Sequence, residues 1–160
     1  MTERCKDVWL AVAGLVVTAN GEWLVVKKKY GGLKGMWSLP AGFVQANETV
    51  DQAVVREVLE ETGIQAQVKG LVGIRSGVIR GEISDNMLVF LLEPLSLEVT
   101  VQNKELYEAK FDDPVQLMKE KNHSVLLEQL LEYKKETMQT VLDGINPGEQ
   151  FGYTAYKIFL

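Results

Sequence analysis

The chain has 160 residues, 46% of them hydrophobic and 24% charged, an ordinary globular composition with enough length for one sizeable core and too little for two full domains. Seventeen Lys and Arg against 22 Asp and Glu leave a formal charge of −5, which argues against nucleic acid or an anionic membrane as a broad electrostatic partner. A lone cysteine, Cys5, excludes an intramolecular disulfide, and no apolar run reaches the eighteen or so residues of a membrane span. The expectation is a single domain over residues 1–160, in the cytoplasm. Val8 to Val17 is largely apolar, and Val17-Thr18-Ala19 resembles a small-residue cleavage site. However, Glu3 and Asp7 offset Arg4 and Lys6, so the positive region of a secretory leader is missing. The segment reads as a strand.

Leu10–Val17 and Trp23–Val26 are apolar runs separated by Thr18-Ala19-Asn20-Gly21. The Asn-Gly pair predicts a hairpin of two antiparallel strands. A glycine-rich loop, Tyr30 to Gly35, leads into Met36-Trp37-Ser38-Leu39-Pro40-Ala41-Gly42. Asn47 or Thr49 caps a predicted helix to about Thr62, with Gly63 as its stop. Ile64–Arg75 and Met87–Leu92 read as strands, the second buried on both faces because its apolar residues are continuous. Glu105–Phe111 reads as another strand, and Asp113-Pro114 opens a short helical segment. Ser124 to about Met138 carries Leu127, Leu130, Leu131 and Lys134 at helical spacing, predicting a second long helix. The aromatic tail Phe151–Leu160 reads as a returning strand. Strands with flanking helices predict a mixed α/β (α+β) layered domain.

Chemistry concentrates between Gly42 and Ile64. On a helix, Glu57, Glu60 and Glu61 stand at i, i+3 and i+4, so their carboxylates share a face. Val54, Val55, Val58 and Leu59 cluster about 140° away and form the predicted packing side. Like charges so spaced repel one another. A divalent cation turns that repulsion into coordination, and oxygen ligands favour Mg²⁺ or Mn²⁺. No His or Cys lies nearby in sequence, so zinc is a poor fit.

The full pattern is G-x5-E-x7-R-E-U-x-E-E-x-G-U, with U bulky and aliphatic, and it matches without gap or substitution. Seven fixed residues at abundances of about 6–7% would coincide by chance roughly once in 10⁸ start positions. On this pattern the chain resembles the Nudix hydrolase family, over about residues 8–135, leaving 136–160 as a C-terminal extension. The resemblance implies an α/β/α sandwich with a mixed central sheet. It implies Glu60 and Glu61 as central metal ligands, with the Ala41 carbonyl beside them. Glu57 is implied as a ligand through water and as general base. Glu48 and Arg56 are implied as an ion pair that orients the helix, Gly42 as the turn beneath its start and Gly63 as its end. Glu105 matches a distal acid that in different members is a metal ligand, the base or neither, with Glu108 as the alternative. The implied reaction is water attack on phosphorus in a nucleoside diphosphate linked to another group, Mg²⁺ or Mn²⁺ being the cofactor. A non-catalytic nucleotide-sensing module is the alternative.

Substrate contacts are less marked. Arg75 and Arg80 could clamp a phosphate or be solvated loop charges. Trp37, Phe43 and Tyr30 could stack on a base or belong to the core. Lys27-Lys28-Lys29 could meet phosphates or simply close a strand. Val78–Gly81 lacks the proline often found beyond the box in ADP-ribose hydrolases of the family. An ADP-ribose-like compound, a nucleotide sugar and a (deoxy)nucleoside triphosphate all stay open. The aromatic tail and the Leu-rich helix are the expected surfaces for a homodimer.

Overall fold

The computed structural model describes residues 6–132, 141, 142 and 144–160. In chain order its elements are β1 (Val8–Val16), β2 (Trp23–Lys28), β3 (Trp37–Ser38), β4 (Ala41–Phe43), α1 (Val50–Thr62), β5 (Ala66–Ile79) and β6 (Ile83–Pro94). They continue with β7 (Leu106–Asp112), α2 (Pro114–Leu117), α3 (Val125–Leu131), β8 (Val141–Leu142), a 3₁₀ turn (Glu149–Phe151) and β9 (Tyr153–Phe159). Six strands form a mixed sheet in the order β4-β1-β6-β5-β9-β8, and three form a smaller sheet in the order β3-β2-β7. Among the described strands only β1 and β6 pair in parallel, with Val8 opposite Ser84 and Val16 opposite Leu92.

Alternation along β1 divides the core into two layers. Val12 and Val16 pack with Ala53, Val54 and Val58 of α1. Ala13 and Leu15 pack on the other side with Leu117 of α2 and with Leu126, Leu127 and Leu130 of α3. This is the expected sandwich of a mixed sheet between helices. Gly14 brings α1 close to β1, since a Cβ there would lie 2.8 Å from Val58 Cγ2.

The predicted hairpin is half right. Gly21 N–H donates to Thr18 O and Thr18 N–H to Glu22 O, both at 2.9 Å, so the turn closes. The strands then part: β1 joins the large sheet and β2 the small one, with one isolated bridge between Val17 and Trp23. Both runs bury side chains on both faces, so each lies between layers and takes separate neighbours.

Two strands outrun their expected limits, reaching Ile79 in β5 and spanning Ile83–Pro94 in β6. Glu105 lies in the turn before β7 rather than in the strand. Ser124 caps α3 by accepting from Leu127 N–H, and Glu132 is its C-cap; residues 133–138 of that expected helix, Lys134 included, lie outside the described residues. The tail does return as a strand, with β9 antiparallel to β5 and Tyr156, Ile158 and Leu160 buried.

Candidate active site

Helix α1 carries its own start and stop signals. Thr49 and Gln52 satisfy each other's backbone N–H groups in a capping box, and Gly63 ends the helix at φ 71°. Its buried face differs from the expected one. Leu59 is 45% exposed, whereas Glu61 is 2% exposed and shares the inner stripe with Val54 and Val58. The spacing 54, 58, 61 follows one helical face, and it carries the acid inward.

That placement makes Glu61 the electrostatic centre of the site. Its carboxylate forms an ion pair with Lys28 Nζ and accepts from Ala41 N–H at 3.3 Å. The same ammonium donates to Ala41 O at 3.5 Å. Burial raises the Glu61 pKa above the ordinary carboxylate range, against the lowering effect of Lys28.

Arg56 organises the remaining acids. Its Nε and Nη2 grip both Glu48 oxygens at 2.8 and 2.6 Å, a bidentate pairing. Nη2 also donates to Phe43 O at 3.1 Å, while Nη1 reaches Glu57 at 2.7 Å and Glu60 at 3.1 Å. The loop after β4 is thereby pinned to α1. The Arg56 guanidinium holds the Glu48 carboxyl down to about 2. Gly42 fits beneath because a Cβ there would lie 2.2 Å from the Glu57 carboxyl carbon.

An open cleft of about 740 Å³ is lined by Glu57, Glu60, Glu61, Ala41, Gly42 and Glu105, with Lys28, Arg56 and Phe43 beside them. Tyr30 also borders it, its hydroxyl pKa raised by desolvation and by the neighbouring Glu105 carboxylate. Among the described residues no three acidic, histidine or cysteine groups converge into a ready metal cage. Lys28 and Arg56 instead engage the α1 carboxylates one by one. The donor set still fits a hard divalent cation: every donor is oxygen, and a positive group already stands against Glu61 and the Ala41 carbonyl.

The other expected contacts scatter. Phe43 lines the cleft at 56% exposure, edge-on to Trp9 at 5.6 Å. Trp37 is 1% exposed and donates its indole N–H to Glu120 at 2.8 Å, which makes it a core residue. Arg80 occupies the β5–β6 turn at φ 52°, outside the cleft lining. Arg75 does reach the cleft, but Asp85 holds its guanidinium at 2.8 Å. Asp85 and Tyr153 carried no local signal in sequence; the pairing of β5 with β6 and β9 brings them to Arg75.

A family model described as NUDIX domain matches residues 8–133. The ADP-ribose pyrophosphatase of Methanocaldococcus jannaschii is 38% identical over 107 residues, covering 65% of this chain and 61% of that protein. The chain therefore spans about three fifths of that relative's length. A MutT NUDIX hydrolase from Burkholderia pseudomallei has a similar structure, with TM-score 0.69, 23% identity, and coverage of 79% of this chain and 98% of that one. A bifunctional NMN adenylyltransferase/ADP ribose pyrophosphatase from Francisella tularensis, complexed with AMP and a Mn ion, gives TM-score 0.58 at 22% identity, over 78% of this chain and 40% of that one. At such identities the structural likeness concerns the fold.

Proposed function

The chain belongs to the NUDIX domain family across residues 8–133, and from that premise we propose that it is a divalent-cation-dependent pyrophosphohydrolase acting on a nucleoside diphosphate linked to a further group. The observation that carries this reading is the single cleft bordered by Glu57, Glu60, Glu61, Glu105 and Ala41. Glu60, Glu61 and the Ala41 carbonyl would hold the cation, with Glu57 and Glu105 as further ligands. When bound, Mg²⁺ or Mn²⁺ supplies positive charge for the anhydride oxygens and lowers the pKa of water. Glu57, kept in place by Arg56 at 2.7 Å, takes the proton from the attacking water as general base. The Glu48–Arg56 pair fixes where Glu57 and Glu60 project. Glu105, which also lines the cleft, would be a second acid for ligation or proton transfer.

For substrate, the lack of a proline at Val78–Gly81 weighed against ADP-ribose. The 38% identity to a protein named ADP-ribose pyrophosphatase returns it to the front of the panel, beside nucleotide sugars and (deoxy)nucleoside triphosphates. Phosphate release with Mg²⁺ or Mn²⁺ across that panel tests the proposal. Turnover of at least one anhydride is the expected result; tight nucleotide binding without turnover would make the chain a sensing module instead.

We keep the cytoplasm as the proposed compartment and a small-molecule nucleotide as the proposed partner. None of the described helices is long and apolar enough to cross a membrane. A homodimer through α3 and the tail would need those side chains exposed, yet Leu127, Leu130, Tyr156, Ile158 and Leu160 are buried within the chain. Light scattering is expected to return the mass of one chain.

A further inference from the structure

We propose that Gln102 is the positioning residue of Glu105: its main chain is fastened to the C-terminal end of α1, and its side-chain amide builds the turn that presents Glu105 to the cleft. This rests on the reading of the cleft as a cation-dependent active site. It adds what sets the distal acid in register with the acids of the helix.

A helix end leaves carbonyls without intrahelical partners, and the chain after β6 returns to meet those of α1. Thr100 N–H donates to Thr62 O at 2.8 Å, and Gln102 N–H donates to Glu61 O at 3.1 Å. Gly63 admits the approach, since a Cβ there would lie 3.1 Å from Thr100 Cβ. Glu61, whose carboxylate centres the site, is therefore tied through its own carbonyl to Gln102.

Gln102 also shapes the residues that follow it. Its Oε1 accepts from Lys104 N–H at 2.7 Å and from Glu105 N–H at 3.1 Å. Its main-chain carbonyl accepts from Glu105 N–H at 3.2 Å and from Leu106 N–H at 3.1 Å. A side-chain carbonyl that takes N–H groups two and three residues on defines a turn by itself, as Asn and Asp do in their turns. Packing contributes little here: Asn103 and Lys104 are exposed, and the first buried residue after them is Leu106.

Glu105 is held from its other side as well. Its carbonyl accepts from Lys29 N–H at 2.9 Å, just past the end of β2. The residue lines the cleft beside Tyr30, whose hydroxyl donates to its carboxylate. Lys29 thus refers Glu105 to β2, while Gln102 refers it to α1, the element that carries Glu57, Glu60 and Glu61. Ligation and proton transfer both depend on the spacing of these acids, and a misplacement of about 1 Å can cost roughly 10²-fold in rate.

The test is a double-mutant cycle on the full chain, read by calorimetric titration with Mn²⁺ alone and by kcat on an anhydride of the substrate panel. Gln102→Met keeps the side-chain length and removes the carbonyl, Glu105→Gln removes the acid, and the double variant combines them. Gln102→Met should weaken Mn²⁺ binding or lower kcat by roughly 5- to 20-fold while Glu105 is present, and by less than about twofold once Glu105 is replaced. Gln102→Asn, which keeps a carbonyl suited to such a turn, should stay within about threefold of the parent. Thermal midpoints are measured alongside, and Gln102→Ala takes the place of Gln102→Met if the latter does not fold. The proposal is overturned if Gln102→Met matches the parent in both readouts, if its loss is equal with and without Glu105, or if Gln102→Asn falls as far as Gln102→Met. Coupling in the Mn²⁺ titration without turnover keeps the positioning and rejects hydrolysis, whereas turnover without coupling rejects the positioning alone. Neither Mn²⁺ binding nor turnover would reject both.

Discussion

A carboxylate as enclosed as Glu61, with 3% of its side chain exposed, needs a positive partner, and Lys28 is that partner. Replacing Lys28 by Met leaves the acid alone. The metal-free protein should then lose about 3–5 kcal/mol, the typical cost of breaking a buried pair, read as a lower thermal midpoint. The same change frees the Glu61 and Ala41 oxygens, so calorimetric titration should find Mn²⁺ bound more tightly, by roughly tenfold. Equal or weaker binding would mean that the ammonium does not compete for those oxygens. Glu57→Gln and Glu60→Gln should each lower kcat by about 10²- to 10⁴-fold while circular dichroism stays unchanged. Glu48 behaves differently, because its task is to hold Arg56. Hydrogen bonds from Arg56 lower its carboxyl from an ordinary 4.5 to about 2. A lowered folded-state pKa contributes stability above pH 4.5 that is lost as pH falls toward 2. Urea unfolding should accordingly weaken more steeply over that acid window in the parent than in Glu48→Gln.

At the scale of elements, α1 was legible because its instructions are local. The Thr49 cap, the Gly63 stop and the i, i+3, i+4 acids all operate within a turn or two of their neighbours. Which apolar residues it buries was less legible, since Leu59 and Glu61 exchange the expected places for a tertiary reason, the ammonium of Lys28 waiting on β2. The Thr18–Glu22 turn shows the same division: the turn forms, but the strands leaving it answer to separate sheets. Close packing of α1 on β1 gives a prediction of its own. Gly14→Ala sets a methyl 2.8 Å from Val58 Cγ2, and such overpacking should cost about 1–3 kcal/mol in denaturant unfolding. Because Gly14 lies outside the cleft lining, Mn²⁺ affinity should stay near the parent value at temperatures where the variant is folded.

For the whole molecule, the catalytic half and the C-terminal segment stand at opposite ends of legibility. Glu57, Glu60 and Glu61 fall in one short stretch, whereas Arg75, Asp85 and Tyr153 sit on β5, β6 and β9 and meet only through strand registers. No sequence window contains that cluster. Truncation after residue 143 would remove Tyr156, Ile158 and Leu160, all buried, each worth about 1.5–3 kcal/mol as a core side chain. The truncated chain should therefore unfold at a clearly lower temperature than the parent, and an unchanged midpoint would contradict the place of β9 in the sheet. Most direct of all is an anomalous difference map from crystals soaked with Mn²⁺ and a non-hydrolysable nucleotide. The strongest peak should lie within bonding distance of Glu60 or Glu61, with Glu57 alongside. A manganese ion bound elsewhere, with those carboxylates still paired to Lys28 and Arg56, would contradict the assignment of this cleft as a cation-dependent active site.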